Sequence, residues 1–345
     1  MSNPAVIFYI HPRFWPRCEY PDDPDVPWSG FNFGVYCWTI MTYLHLRRAG
    51  LDCSLTNHLP DEGIVLVHRE CLVVDGASLL PSRRRLLINL TADHPLYPAA
   101  NLQIVQNKLQ AHWYDDCFYM PHWPEPGLIP RNENRGTRFE TIAFVGNEKN
   151  LAPELSSSAW KARMTEMGLN WDIKAGEFQF DDARTYRIGG VWTDYGDVDA
   201  ILAVRSFLPH RNAGGHGHKP PSKLINSWRA GLPAILGCES AFRQIRQGDL
   251  DYIEVHSVEE TIQGLAALRS SELRQEMVAN GRRRAAAFSS QSITRIWMDY
   301  LKAVAFPTYQ AWVKMSASRQ AAEIAYKRLN YQGRRLVKKA ASLLR

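Results

Sequence analysis

The sequence predicts an α/β chain of two domains, each a parallel sheet wound with helices, followed by C-terminal helices. Three observations predict it. At 345 residues the chain exceeds the size at which a single core stops growing, so two domains of about 150 residues each are expected. Short apolar runs alternate with stretches of helical period in both halves, which is the grammar of wound parallel sheets. Between the halves, Pro121 to Pro130 holds four prolines and a glycine in ten residues, a composition that interrupts either element type.

The elements follow in order. Ala5 to Ile10 is a short apolar run ending at His11-Pro12 and reads as a buried first strand. After a Pro- and Asp-rich loop, Gly30-Phe-Asn-Phe-Gly34 leads into the apolar-periodic stretch Val35 to Arg48, closed by Gly50. Strand, glycine-containing loop and helix make the first unit of a Rossmann-like half. Further strands are expected at Ile64 to His68, Leu86 to Leu90 and Cys117 to Met120, with a helix over Leu102 to His112. The second half restarts with the strand Thr141 to Val145 and the helix Ala159 to Met167. The strand Ala200 to Val204, the helix Ser222 to Ala230, the strand Pro233 to Leu236 and the helix Glu259 to Arg269 come next. Glu272 to Ala287 and Thr294 to Val304 read as helices, and the rest is helix-prone. The domain boundaries are set at 1–135, 136–300 and a basic helical tail at 301–345.

Hydrophobic residues at 45% and charged residues at 22% are the balance of a soluble globular protein. Met1 to Phe14 lacks a secretory pattern and no run of about 18 apolar residues occurs, so a cytoplasmic protein is expected. The six cysteines show no C-x-x-C pair and read as free thiols. The net charge of +6 is uneven: the segment from Lys314 to Arg345 carries +8 and the remainder −2. Basicity therefore belongs to the tail, and the body is not expected to bind nucleic acid. In that tail, Leu336, Val337, Ala340, Leu343 and Leu344 form an apolar face flanked by Arg334, Arg335, Lys338, Lys339 and Arg345. Two readings stand: a peripheral helix on the anionic inner face of a membrane, or a helix that packs back on the first domain.

The most informative stretch is Lys219-Pro-Pro-Ser-Lys-Leu-Ile-Asn-Ser-Trp-Arg-Ala-Gly-Leu-Pro-Ala-Ile-Leu-Gly237. A helix N-terminus offers backbone N–H groups and partial positive charge to a diphosphate, and Lys219 and Lys223 add full charges there. Gly231 ends the helix and Pro233 starts the next strand without needing a ladder donor. The stretch resembles the donor-binding segment of GT-B glycosyltransferases of the group 1, family 4-like kind, in which a loop leads into a helix ending A-x-G-x-P-x-I. The resemblance covers Gly146 to about Gly281 well and the first half in outline. It implies two Rossmann-like domains facing a cleft, with C-terminal helices. It also implies transfer of a sugar from a nucleotide-sugar co-substrate to a hydroxyl of a glycan or lipid-linked saccharide, without catalytic metal or resident cofactor.

Residue by residue, the resemblance places Gly146 at the glycine that lets the donor diphosphate approach the backbone. The arginine usual after it is replaced by Asn147-Glu148-Lys149. Gln244 stands where the ribose-binding acid of the E-x-x-x-G pattern belongs, and Glu239, five residues earlier, is the alternative. Arg205 follows a strand at the edge where α/β sheets bind ligands, and Ser222 and Asn226 are grouped with these donor contacts. Two metal patterns are set aside. The histidines of Gly214-Gly-His-Gly-His218 lack further ligands at motif spacing, and Asp23-Pro-Asp25 lies in a Pro-rich loop. A base for the acceptor hydroxyl is sought at strand ends of the first domain: Asp93-His94 leads and His11 follows. Two other classes remain open, a GT-B-fold nucleotide-sugar epimerase and a non-catalytic sugar-nucleotide-binding protein.

Overall fold

The structure, a computed structural model, describes residues 3–175, 178–180, 186–188, 192–208 and 216–343. It divides into two compact units. The first comprises Met1–Pro24, Gly30–Pro121 and Ile293–Arg345, and the second Asp25–Ser29 and His122–Ser292.

In the first unit, β1 (Val6–Tyr9), β2 (Cys53–Thr56) and β3 (Gly63–His68) precede a small antiparallel pair, β4 (Val73–Val74) and β5 (Ala77–Ser78). With β6 (Arg85–Leu90), β7 (Leu102–Val105) and β8 (Cys117–Tyr119) the main sheet runs β2-β1-β3-β6-β7-β8, all parallel. Every residue of β3 is buried, as a parallel strand covered on both faces requires. The helix Gly34–Arg48 is buried from Val35 to Leu46, polar Thr39, Thr42 and His45 included, which makes it a core helix rather than an amphipathic surface one. The chain leaves β1 for β2 on one side and β3 on the other, so the point where strand order reverses lies between β1 and β3.

The expected helix over Leu102 to His112 is corrected: Leu102–Val105 is a strand and only Lys108–Trp113 is helical, capped by the Asn107 side chain on the Leu109 N–H. The four buried residues of β7 include Gln103, which is tied to Asn89 at 2.7 Å and to the Tyr97 carbonyl at 2.6 Å. Those long-range bonds, not local period, decide the element. The C-terminal segment, set apart by sequence as a tail from 301, belongs to this unit from Ile293. Trp312 Nε1 donates to the Ser82 carbonyl at 2.8 Å, Gln320 Nε2 to that of Arg83 at 3.1 Å, and Lys327 pairs with Asp116 at 3.3 Å. The apolar face named for the tail lies at residues whose side chains fall outside the described set. No described helix is long and apolar enough to cross a membrane.

In the second unit, β9 (Thr141–Val145), β10 (Asn170–Lys174), β13 (Ala200–Ala203), β14 (Ala234–Gly237) and β15 (Ile253–Val255) form a parallel sheet ordered β10-β9-β13-β14-β15. A separate antiparallel pair joins β11 (Phe178–Phe180) to β12 (Tyr186–Ile188). Here the reversal lies between β9 and β13. Helices Ser158–Glu166, Ser222–Ala230, Val258–Ala267 and Ser271–Ala285 enclose a core that includes Phe144, Trp160, Leu202, Trp228 and Leu236. The proline-rich segment between the halves belongs to this unit from His122 onward. Arg131 donates from its backbone to the Ala230 carbonyl, and the Arg131 and Arg135 guanidiniums clasp buried Asp199 at 2.8 and 2.6 Å. The two-domain α/β class with C-terminal helices is therefore observed.

Candidate active site

The carboxyl edge of the second sheet collects most of the predicted donor residues. Gly146 follows β9 with φ +139°, a left-handed value natural only to glycine. A Cβ there would meet the Lys223 ammonium, the end of a flexible side chain that can swing aside, so it is the backbone conformation that requires glycine. Lys223 lies in the first turn of the helix Ser222–Ala230; its Nζ donates to the Val145 carbonyl and sits 4.5 Å from the centre of the Phe144 ring. Desolvation first and the nearby Arg205 guanidinium second pull its pKa down to about 7. Ser222 opens the helix, whose start carries no side-chain cap because Pro221 occupies the N-cap. Lys219, in the turn before it, donates its backbone N–H to the His216 carbonyl at 2.9 Å. Gly231 ends the helix with φ 71°, as the motif requires.

Arg205 and Glu239, read separately from sequence, are partners: Nε donates to Oε2 at 3.0 Å, with side chains 13% and 3% exposed. Arg205 also donates to the Asn150 side chain, a residue the sequence did not single out. Glu239 thus holds Arg205 at the carboxyl edge of β13 and β14, and a buried pair of this kind fixes the guanidinium in place. Gln244 is half-buried at the end of the short helix Ser240–Arg243. Asn226 turns inward, 7% exposed and hydrogen-bonded to Tyr195, so the structure places it in the packing beneath the edge rather than at it.

The first sheet has its own cluster, again at the carboxyl edge. His11 follows β1, His68 ends β3, and Asp93-His94 follows β6, on three adjacent strands. His94 Nε2 lies 3.8 Å from Glu70 and 4.0 Å from Asp93, and its ring stands edge-on to His68 at 5.6 Å. His68 is fully buried; its Nδ1 accepts the Glu70 N–H at 3.3 Å, and its Nε2 has no hydrogen-bond partner. Burial, then repulsion from His94, lowers its pKa to about 3, so it is a neutral imidazole whose proton sits on Nε2. Glu70 moves up, chiefly by desolvation, although His94 opposes the shift. His11 caps the short helix Pro12–Phe14 through Nδ1 on the Arg13 N–H at 3.1 Å, which accounts for it structurally.

His68 and Glu70 were missed by sequence reasoning. The available signal was a histidine closing the apolar run Ile64 to His68, at the strand end beside Asp93-His94. His68, Glu70 and His94 present ligand atoms within 4.8 Å of one another, as do Cys238, Glu254 and His256 in the second unit. The nitrogen and carboxylate donors of the first trio are of the kind that hold zinc. Of the histidine loop, residues 209–215 lie outside the described set, and His216 and His218 are half-buried.

No protein-family model matches this chain and no curated protein matches it. Among solved structures, it is similar to AviGT4, a glycosyltransferase involved in avilamycin A biosynthesis, at 15% identity over 90% of this chain and 98% of the other, with a TM-score of 0.49. The Anabaena protein Alr3699/HepE in complex with UDP aligns at 10% identity over 87% and 100%, with a TM-score of 0.46. The lipopolysaccharide outer core galactosyltransferase WaaB aligns at 11% over 87% and 99%, also at 0.46.

Proposed function

We propose that the chain is a GT-B glycosyltransferase whose second unit binds a nucleotide sugar and whose first unit handles the acceptor hydroxyl of a glycan or lipid-linked saccharide. One observation carries the reading: Lys223 stands at an uncapped helix start directly against Gly146, at the carboxyl edge where strand order reverses. Backbone N–H groups, a helix dipole and a basic side chain come together there beside a glycine, donors of the kind that suit a diphosphate.

In the reaction, the bond between the sugar C1 and the diphosphate oxygen breaks and a bond from C1 to the acceptor oxygen forms. Lys223, the helix start and Arg205 stabilise the charge that develops on the departing nucleoside diphosphate. The acceptor proton passes to the His94 imidazole, and the Glu70 and Asp93 carboxylates at 3.8 and 4.0 Å stabilise the imidazolium. The peripheral-membrane reading of the tail rests on residues 335–345, whose side chains lie outside the described set, and the proposal does not extend to it.

The test is a thermal-shift screen of the wild type and Lys223→Met against UDP-, GDP-, ADP- and dTDP-sugars, followed by transfer assays with the nucleotide that binds. One nucleotide sugar is expected to stabilise the wild type by about 2.7 kcal/mol at a hundredfold excess over Kd, and to do so weakly in the variant. The proposal fails if no nucleotide sugar shifts the wild type. An epimerised donor without transfer would replace it with the isomerase reading.

A further inference from the structure

The second unit carries a cavity of about 870 Å³ at the opposite, amino-terminal edge of its sheet. Asp199 and Pro233 in its lining immediately precede β13 and β14, whereas Gly146, Arg205 and Glu239 follow the strands. One wall is a stripe of the helix Ser271–Ala285 that includes Arg274, Val278 and Arg282, spaced so that they share one face. That helix buries little else on its own account, only Met277 and Gly281.

The lining holds four arginines, Arg131, Arg229, Arg274 and Arg282, against two acids, Asp199 and Glu133. Asp199 is already neutralised, since Arg131, Arg135 and the Glu140 and Thr141 N–H groups all donate to it. Glu133 is exposed. Among the described residues, the Arg274 guanidinium donates to the carbonyls of Leu268, Arg269 and Thr137, and Arg229 to that of Glu125; neither meets a carboxylate within ion-pair distance. Carbonyl partners orient a guanidinium without cancelling its charge. Burial first, and repulsion from Arg131 second, lower the pKa of Arg274, with Asp199 and Glu272 opposing the shift. Arg282 projects its guanidinium to 3.8 Å from where a side chain on Gly231 would begin. Crowding like charges around a cavity opposes folding, and an anion relieves it.

We propose that this cavity is a second anion site, for a small phosphorylated molecule held between Arg229, Arg274 and Arg282. Its volume falls in the range of ligand pockets, and planar guanidiniums match phosphate oxygens two at a time. Because it lies at the other edge of the sheet from Lys223, its ligand is distinct from the donor, and the inference stands apart from the transferase reading.

The probe is inorganic pyrophosphate, titrated calorimetrically into the full chain carrying Lys223→Met so that binding at the carboxyl edge is weakened. Arg282→Ala is the principal variant, because that side chain is exposed and its loss should leave the fold intact; Arg274→Gln is the second. Binding is expected to persist with Lys223→Met alone and to weaken on the order of 10-fold with Arg282→Ala added. Sodium chloride at matched ionic strength is expected to give no saturable heat. Binding lost with Lys223→Met alone, or unchanged by Arg282→Ala, overturns the proposal, as does a response to sodium chloride equal to that of pyrophosphate.

Discussion

The carboxyl edges of the two sheets are built at equivalent positions from opposite chemistry. In the second unit the edge is cationic: an ammonium at an uncapped helix start and a guanidinium pinned by a buried carboxylate. In the first it is made of imidazoles and carboxylates, with one histidine held neutral by burial. The difference teaches how one wound architecture can present two chemistries at the same edge: under the proposed transfer, basic groups would face a diphosphate in one unit and an imidazole beside carboxylates would face a hydroxyl in the other.

The largest effect expected bears on how the cationic edge is fixed. Glu239→Ala leaves Arg205 buried without its counterion, so stability should fall by about 3–5 kcal/mol in urea denaturation. Adding Arg205→Met should restore more than half of that loss. If Glu239→Ala costs nothing, the pair is not what holds Arg205, and the contrast between a pinned edge and a titratable one collapses. His94→Gln tests the other edge. Transfer should slow on the order of 10²-fold in kcat, about 2.7 kcal/mol in the barrier, with donor binding unchanged by calorimetry. A matching loss of donor affinity would show that His94 belongs to the donor site instead.

How far this contrast was legible follows from what each feature depends on. Strands with continuous apolar runs, such as Ile64 to His68 and Thr141 to Val145, were found because burial on both faces writes itself into local composition. β2, β10 and β15 were not. They are sheet-edge strands of half-buried and polar residues, Cys53–Thr56, Asn170–Lys174 and Ile253–Val255, with little apolar signature. The helix Ser222–Ala230 was legible because its signature lies in adjacent residues: lysine near its start, glycine and proline after its end. The pairing of Arg205 with Glu239 and the meeting of His94 with Glu70 and His68 span separate strands, and only the sheet's register brings them together. The return of the C-terminal helices to the first unit is equally nonlocal, resting on bonds such as that from Trp312 to the Ser82 carbonyl.

A smaller effect separates the edges by pH. His68 has a folded pKa of about 3, below the ordinary histidine value near 6.5, so the unfolded state binds the extra proton between them. Its contribution is present above pH 6.5 and is lost as pH falls towards 3, by at most about 1.4 kcal/mol per pH unit. The stability difference between wild type and His68→Leu, followed by urea denaturation at pH 7, 6 and 5, should therefore shift against the wild type as the solution is acidified. A difference that stays constant would mean His68 is not held neutral.

The cationic edge should respond on the alkaline side, through binding. Lys223 has its pKa pulled down to about 7 when the site is empty, and a bound diphosphate, placing negative charge at the ammonium, restores the protonated form. Above pH 7 the donor must therefore bring a proton with it, and affinity should fall as pH rises from 7 to 9, by at most about tenfold per unit. Calorimetry at pH 8 in two buffers of different ionisation enthalpy should show that proton being taken up. Lys223→Met should remove both the uptake and the pH slope while leaving weak binding to the helix start and Arg205. A wild-type affinity that is flat from pH 7 to 9 would place the diphosphate away from Lys223, and with it the claim that the second edge works by charge at that position.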